Sequence, residues 1–240
     1  MKVLAFDSSD AYLTVAVCED SQVLAETHRL GPRTHASVLA PTIQSTLKDL
    51  GLGIRELDAV AVGLGPGSFT GTRLGLATAR GLAQAIERPL IGVGSLESVA
   101  QALGEECEYA AVLVNAGRDR IYVGRFRRDR TVWKPDAPYA CVKEEELDIG
   151  AGAFYLSGSA LATRADALRQ RFAGKARVVE EGLWYPRARW VAQVGLRHWN
   201  SGQRQEFLDP MDPIYLHPDW PGCKAGEISP DPKYQEDDGQ

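Results

Sequence analysis

The chain has 240 residues, of which 44% are hydrophobic and 25% charged, with a net charge of −5. That is an ordinary composition for a globular protein of one large or two small domains. The negative balance speaks against broad, non-specific attraction to a phosphate backbone, which needs a basic surface. No segment reaches the roughly 20 apolar residues of a membrane span. The opening MKVLAFDSSD meets an acid too early for a signal peptide, so cytoplasmic residence is expected. Cys18, Cys107, Cys141 and Cys223 form no CxxC pair and read as reduced structural thiols.

Lys2 to Ser8 is apolar and β-branched enough for a buried strand. Tyr12 to Val17 and Gln22 to His28 follow across short polar turns, which predicts an antiparallel meander. A helix is predicted from His35 to Leu50 with Thr34 as N-cap. Leu39, Ile43, Leu47 and Leu50 share one of its faces, Pro41 interrupts its first turns, and Gly51 and Gly53 end it. Leu57 to Leu64 reads as a strand, Thr72 to Glu87 as a helix, and Leu90 to Val93 as a short buried strand after Pro89.

The second half repeats this order. Strands are predicted at Tyr109–Asn115 and Arg120–Arg127, with a third near 131–133 or 138–142. A strand at Phe154–Leu156, a helix at Leu161–Phe172, a strand-like Val178–Val179 and a helix at Arg187–Trp199 complete it. The division expected is 1–105 and 106–217, two duplicated α/β halves, with an acidic, disordered tail over 218–240.

The densest motif is GLGPGSFTGTRLG, Gly63 to Gly75, between a strand and a helix. Phosphates bind at such junctions. A Walker A loop needs a lysine, and none lies between Lys48 and Lys134. A dinucleotide fingerprint fails because Ser68 or Thr70 stands where its third glycine belongs. A nucleophile elbow fails because Ser68 is one place too early. The glycines therefore read as positions of close backbone approach, around a ligand or beneath a packed element.

The following helix is apolar nearly all round. Leu74, Thr78, Gly81, Leu82 and Ala85 lie on one side; Leu76, Ala79, Ala83 and Ile86 lie on the other. Such a helix is buried on two sides, one of them against a neighbouring helix or another protein. The side of Leu76, Ala79 and Ala83, next to the polar stripe of Arg73, Arg80, Gln84 and Glu87, is expected to face outward.

GPGSFTGTRLGLATARGLA and the PLIGV strand after it resemble the signature of the TsaB/YeaZ family. VLAFDSS at the start, Thr34-His35-Ala36-Ser37 with Leu39 and Pro41, VNAGRDRIYVGRF and DPIYLHP extend the resemblance along most of the chain. It implies an actin-like fold of the sugar kinase, Hsp70 and actin group, built from two duplicated RNase H-like domains. It further implies a non-catalytic subunit that supports a TsaD-type transferase in threonylcarbamoyl modification of tRNA. The partners it implies are the TsaD-type subunit, a TsaE-type ATPase and, when alone, a second copy, with tRNA reached indirectly and no membrane contact. Leu39, Ile43, Leu47, Arg73, Leu76, Ala79, Arg80 and Ala83 are the interface residues expected on this reading.

The catalytic relative holds a metal with His-x-x-x-His after the PLIGV strand. Here those positions are Ser95 and Val99, neither of which replaces imidazole, so no metal is expected. His28, His35, His198 and His217 show no metal spacing. The two Asp-x-Gly phosphate hairpins of the actin-like fold read Asp7-Ser8-Ser9 and Asn115-Ala116-Gly117, so no cofactor is expected and Asp7 is the best candidate for a residual polar site. Arg118, Arg120, Arg125 and Arg127, followed by Arg128 and Arg130, offer a candidate tRNA contact or a solvated strand edge. The competing reading is an active ATP-dependent or metalloprotease-like enzyme of the same fold.

Overall fold

The computed structural model describes residues 1–31, 35–150, 152–202 and 211–218. The expected Thr34 cap, Cys223 and the acidic stretch after Pro218 lie outside these residues. Met1–Ser98 with Tyr185–Pro213 form one compact unit; Val99–Trp184 with the described residues from Ile214 onward form the other.

The first unit is a five-stranded sheet between helices. Its strands are β1 (Lys2–Asp7), β2 (Tyr12–Glu19), β3 (Gln22–Leu30), β4 (Ala59–Gly63) and β5 (Leu90–Val93), in the order β3-β2-β1-β4-β5. β1, β2 and β3 pair antiparallel, as the meander predicts, while β4 and β5 join in parallel. Helices α1 (His35–Asp49) and α2 (Phe69–Ile86) cover one face. Strand alternation explains the layering. Leu4, Phe6, Val15, Val17, Val60 and Val62 pack with Leu39, Ile43, Leu47, Leu76, Ala79 and Ala83 on the α1–α2 side. Val3, Ala5, Ala16, Ala59 and Ala61 point to the other face, where the small side chains let α5 (Ala188–Asn200) sit close. A Cβ on Gly195 of α5 would lie 3.4 Å from the Ala61 Cβ.

The second unit holds β6 (Tyr109–Asn115), β7 (Arg120–Asp129), β8 (Val132–Pro135), β9 (Ala140–Lys143), β10 (Phe154–Ser157), α4 (Leu161–Arg171) and β11 (Ala176–Val178). Its sheet runs β11-β10-β6-β7-β8, with β9 also on β7. The central antiparallel pair flanked by parallel strands repeats the first sheet. Both candidate positions for a third strand form one, at opposite ends of β7. This is the duplicated α/β layout of the actin-like fold. Among the described residues no helix is long and apolar enough to cross a membrane.

Two differences have clear physical causes. The last helix, expected within 106–217, packs on β1, β2 and β5 of the first sheet, because those strands are apolar on both faces and need a second cover. Helix α3 (Ser95–Gln101) was not expected, since it is buried all round and carries no amphipathic pattern.

Candidate functional site

The glycine loop closes over the end of β1. Asp7 is fully buried there. Its Oδ1 accepts from the Ser9 amide at 2.7 Å and the Ser9 hydroxyl at 2.6 Å. Its Oδ2 accepts from Ser95 Oγ at 2.6 Å, and that hydroxyl accepts the Gly65 amide at 3.0 Å. Ser68 N–H donates to the Ser9 carbonyl at 2.6 Å, and Ser8 Oγ donates to the Gly71 carbonyl at 2.8 Å. Ser68 then caps α2 by accepting from Gly71 N–H, so the helix starts three residues before the predicted Thr72.

The glycines follow from this packing. A Cβ on Gly63 would lie 1.9 Å from Asp7 Oδ2, one on Gly67 2.2 Å from the Ser9 carbonyl oxygen, and one on Gly71 2.0 Å from that of Ser8. The loop glycines thus pack directly against the Ser8–Ser9 backbone. Asp7 sits at the position of the first phosphate hairpin but is engaged internally. Its counterpart Asn115 is exposed and accepts the local Gly117 amide at 2.9 Å.

The metal positions do not fit a metal. Ser95 is held on Asp7, and Val99 is fully buried. Among the described residues no three His, Cys, Asp or Glu side chains converge on a common point.

The outer face of α2 is the reverse of the one expected. Leu76 is 7% exposed, and Ala79 and Ala83 are 0% exposed, inside the core with Leu39, Ile43 and Leu47. Those six residues are interior to the unit. Thr70, Arg73, Ala77, Arg80, Gly81, Gln84 and Ala85 are the exposed ones, with Leu74 and Leu82 half-buried. On α1 the outward residues include Ala40, Pro41, Gln44 and Lys48. Of the expected interface residues, only Arg73 and Arg80 reach the surface.

The arginines of β7 do not gather. Arg118 and Arg120 stand at its first end, and Arg125 and Arg127 approach the other; seven residues of strand separate Arg120 from Arg127 by about 23 Å. By alternation Arg120 points to one face, and Arg125 and Arg127 to the other. Arg127 pairs with Glu108 at 2.9 Å, and Arg128 Nε donates to the Cys107 carbonyl. A single basic patch is therefore absent from this strand.

One polar cluster had no signal in the sequence. The side chain of Glu26 on β3 is 4% exposed and takes ion pairs from Arg187 at 2.8 Å and Arg189 at 2.5 Å. It also accepts the Arg189 amide, so a distant carboxylate caps the first turn of α5. Burial pushes the Glu26 carboxyl up, but the two arginines outweigh it and hold it below the usual range. Next to it His28 stacks on Tyr12 at 4.3 Å. Only tertiary folding brings together partners more than 150 residues apart.

With this geometry in place, the comparisons are specific. Residues 28–199 match the family model for TsaD: tRNA N6-adenosine threonylcarbamoyltransferase. The tRNA threonylcarbamoyladenosine biosynthesis protein TsaB of Escherichia coli is 34% identical over 60% of this chain and 64% of its own length. Its counterpart in Bacillus subtilis is 31% identical over 53% of this chain and 56% of its own length. The match thus spans less than two thirds of these relatives. The solved structure of YeaZ from Pseudomonas aeruginosa superposes with a TM-score of 0.78 at 26% identity, covering 90% of this chain and 99% of that one.

Proposed function

The chain belongs to the tRNA N6-adenosine threonylcarbamoyltransferase family, as a TsaB/YeaZ-type member, and from that premise we propose that it is the non-catalytic subunit needed for threonylcarbamoyl modification of adenosine 37 in tRNA. Its site of action is the cytoplasm. It works by pairing with a TsaD-type transferase, alongside a TsaE-type ATPase, and contacts tRNA through that assembly. Alone it self-associates through the same surface.

The observation that carries this reading is the Asp7–Ser95 pair. At the place where a catalytic relative would hold a metal, this chain has a serine locked onto a buried carboxylate. The glycine loop beside it packs against the Ser8–Ser9 backbone, where the first phosphate hairpin lacks its glycine. What remains for function is a surface. The outer face of α1 and α2 is the candidate, with small residues Ala77 and Gly81 that allow a close helix–helix approach.

The test is reconstitution with the TsaD-type and TsaE-type proteins of the same genome. Threonylcarbamoyl incorporation into tRNA is expected only when this chain is present, and none from this chain alone. Ala77→Glu should abolish both pairing and activity while leaving the fold intact. Full activity without this chain, or modification by it alone, would overturn the proposal.

A further inference from the structure

The turn that ends β1 is buried, where a hairpin turn ordinarily meets solvent. Asp7, Ser8 and Ser9 are each at most 2% exposed, covered by the glycine loop and the first two turns of α2. Gly71 and Gly75 stand one helical turn apart on one face of α2. A Cβ on Gly71 would lie 2.0 Å from the Ser8 carbonyl oxygen, and one on Gly75 2.6 Å from Ser8 Oγ. The two glycines form a notch that takes Ser8. Two directional bonds close it. Ser8 Oγ donates to the Gly71 carbonyl at 2.8 Å, and Ser68, the N-cap of α2, donates its N–H to the Ser9 carbonyl at 2.6 Å. Asp7 holds the turn from below, its Oδ1 accepting from both the amide and the hydroxyl of Ser9.

Hydrophobic burial by itself does not fix the rotation of α2. It is non-directional, and α2 is apolar on both sides. Hydrogen bonds weaken steeply when misaligned, and a notch without side chains admits its occupant in one register. Val60 and Val62 thus choose the inward face of α2, while Ser8 and Ser9 set its rotation and height. Ala77, Arg80 and Gln84 are exposed on the side away from the notch. For a side chain about 5 Å from the helix axis, a rotation of about 20° is a displacement of about 2 Å.

We infer that Ser8 is a positioning residue for docking: seated between Gly71 and Gly75, it aligns the outer face of α2 that the transferase meets. The inference rests on reading the α1–α2 face as the docking surface. Ser8 is 1% exposed and touches no partner itself, so its effect on pairing passes through α2. The turn that stands where the actin-like fold has its first phosphate hairpin serves here as the mount of a docking helix.

Gly75→Ala sets a methyl group against Ser8 Oγ and displaces α2. Ser8→Ala removes that oxygen, and the atoms then nearest the methyl are Val62 Cγ2 at 3.6 Å and the Cβ of residue 8 at 4.0 Å, both ordinary contacts. Affinity for the TsaD-type transferase of the same genome is measured by titration calorimetry, at a temperature where thermal melts show each variant folded. Gly75→Ala should weaken pairing by about ten-fold or more, and Ser8→Ala/Gly75→Ala should recover to within about three-fold of wild type. A role confined to stability moves the melts and leaves the affinities alike. That result overturns the inference, as does a double variant no tighter than Gly75→Ala. If Gly75→Ala does not fold, Ser8→Ala alone decides. It adds no atom, so it should fold and pair about three-fold more weakly, because the bond that orients α2 is gone; wild-type affinity overturns the inference. Ala77→Glu separates this from failure of the docking reading. If it abolishes pairing while Gly75→Ala and Ser8→Ala pair like wild type, the docking reading stands and the positioning inference falls. If Ala77→Glu leaves pairing intact, the contact lies off α2 and both fall.

Discussion

Ser95 Oγ donates to Asp7 Oδ2 across 2.6 Å, tying the first turn of α3 to the end of β1. The same oxygen accepts the Gly65 amide, so one hydroxyl serves three elements. Ser95→Ala leaves a fully buried carboxylate oxygen and a buried amide without that partner. We expect a loss of about 2 kcal/mol, read by urea unfolding. A loss under about 0.5 kcal/mol would show that water or a shifted Ser9 replaces the bond.

Two glycines of α2 should respond in opposite directions. Alanine at Gly71 drives its Cβ into the Ser8 carbonyl, where a Cβ would lie 2.0 Å from the oxygen. The backbone of the β1–β2 turn must move, and stability should fall by about 2 kcal/mol or more. Gly81→Ala meets open space and should raise monomer stability by up to about 1 kcal/mol. Equal effects in thermal melts would contradict the packing described for the loop.

Acid should weaken the first unit through His28. Burial, and after it the charge of Arg187, hold its ring at about 4, while Glu26 pulls the other way. The folded chain keeps the ring neutral where the unfolded chain binds a proton. The stability tied to it is complete above the ordinary imidazole value of 6.5 and is lost as pH falls toward 4. Glu26 adds to the same trend, since its lowered folded value means its contribution disappears as pH drops through that value. The melting temperature should therefore fall from pH 7 to pH 4. His28→Phe, which keeps a ring beside Tyr12, should flatten the fall; an unchanged slope would remove His28 as a cause.

Ala79 and Ala77 are two positions apart and lie on opposite sides of α2. Ala79 is fully buried, so Ala79→Glu buries a carboxylate in the core and should prevent folding, seen as loss of a cooperative melt. Ala77 is exposed, so Ala77→Glu should melt within a few degrees of wild type. Its effect should appear in pairing, with the transferase and with a second copy, and in the activity that depends on pairing.

Much of the architecture was legible because it is written in local periodicity. The apolar, β-branched runs in Lys2–Asp7 and Tyr12–Glu19 and the glycines from Gly63 to Gly75 placed the sheet, the loop and α2. α3 escaped notice because a helix buried on every side has no polar stripe to betray it.

What the sequence determined by itself was the order of the strands and of the helices other than α3, and the mismatch of Ser95, Val99 and Asn115 with a catalytic site, since residue identity and spacing carry both. Which side of α2 faces out was settled only by the tertiary structure. Leu74 and Leu82 on one side are as apolar as Leu76 and Ala83 on the other, so the hydrophobic pattern is nearly symmetric about the helix. Burial against Val60 and Val62 of β4 broke the tie, because area removed from water depends on which face meets the sheet, a relation between segments that no local window contains. The Glu26 clamp on Arg187 and Arg189 has the same origin.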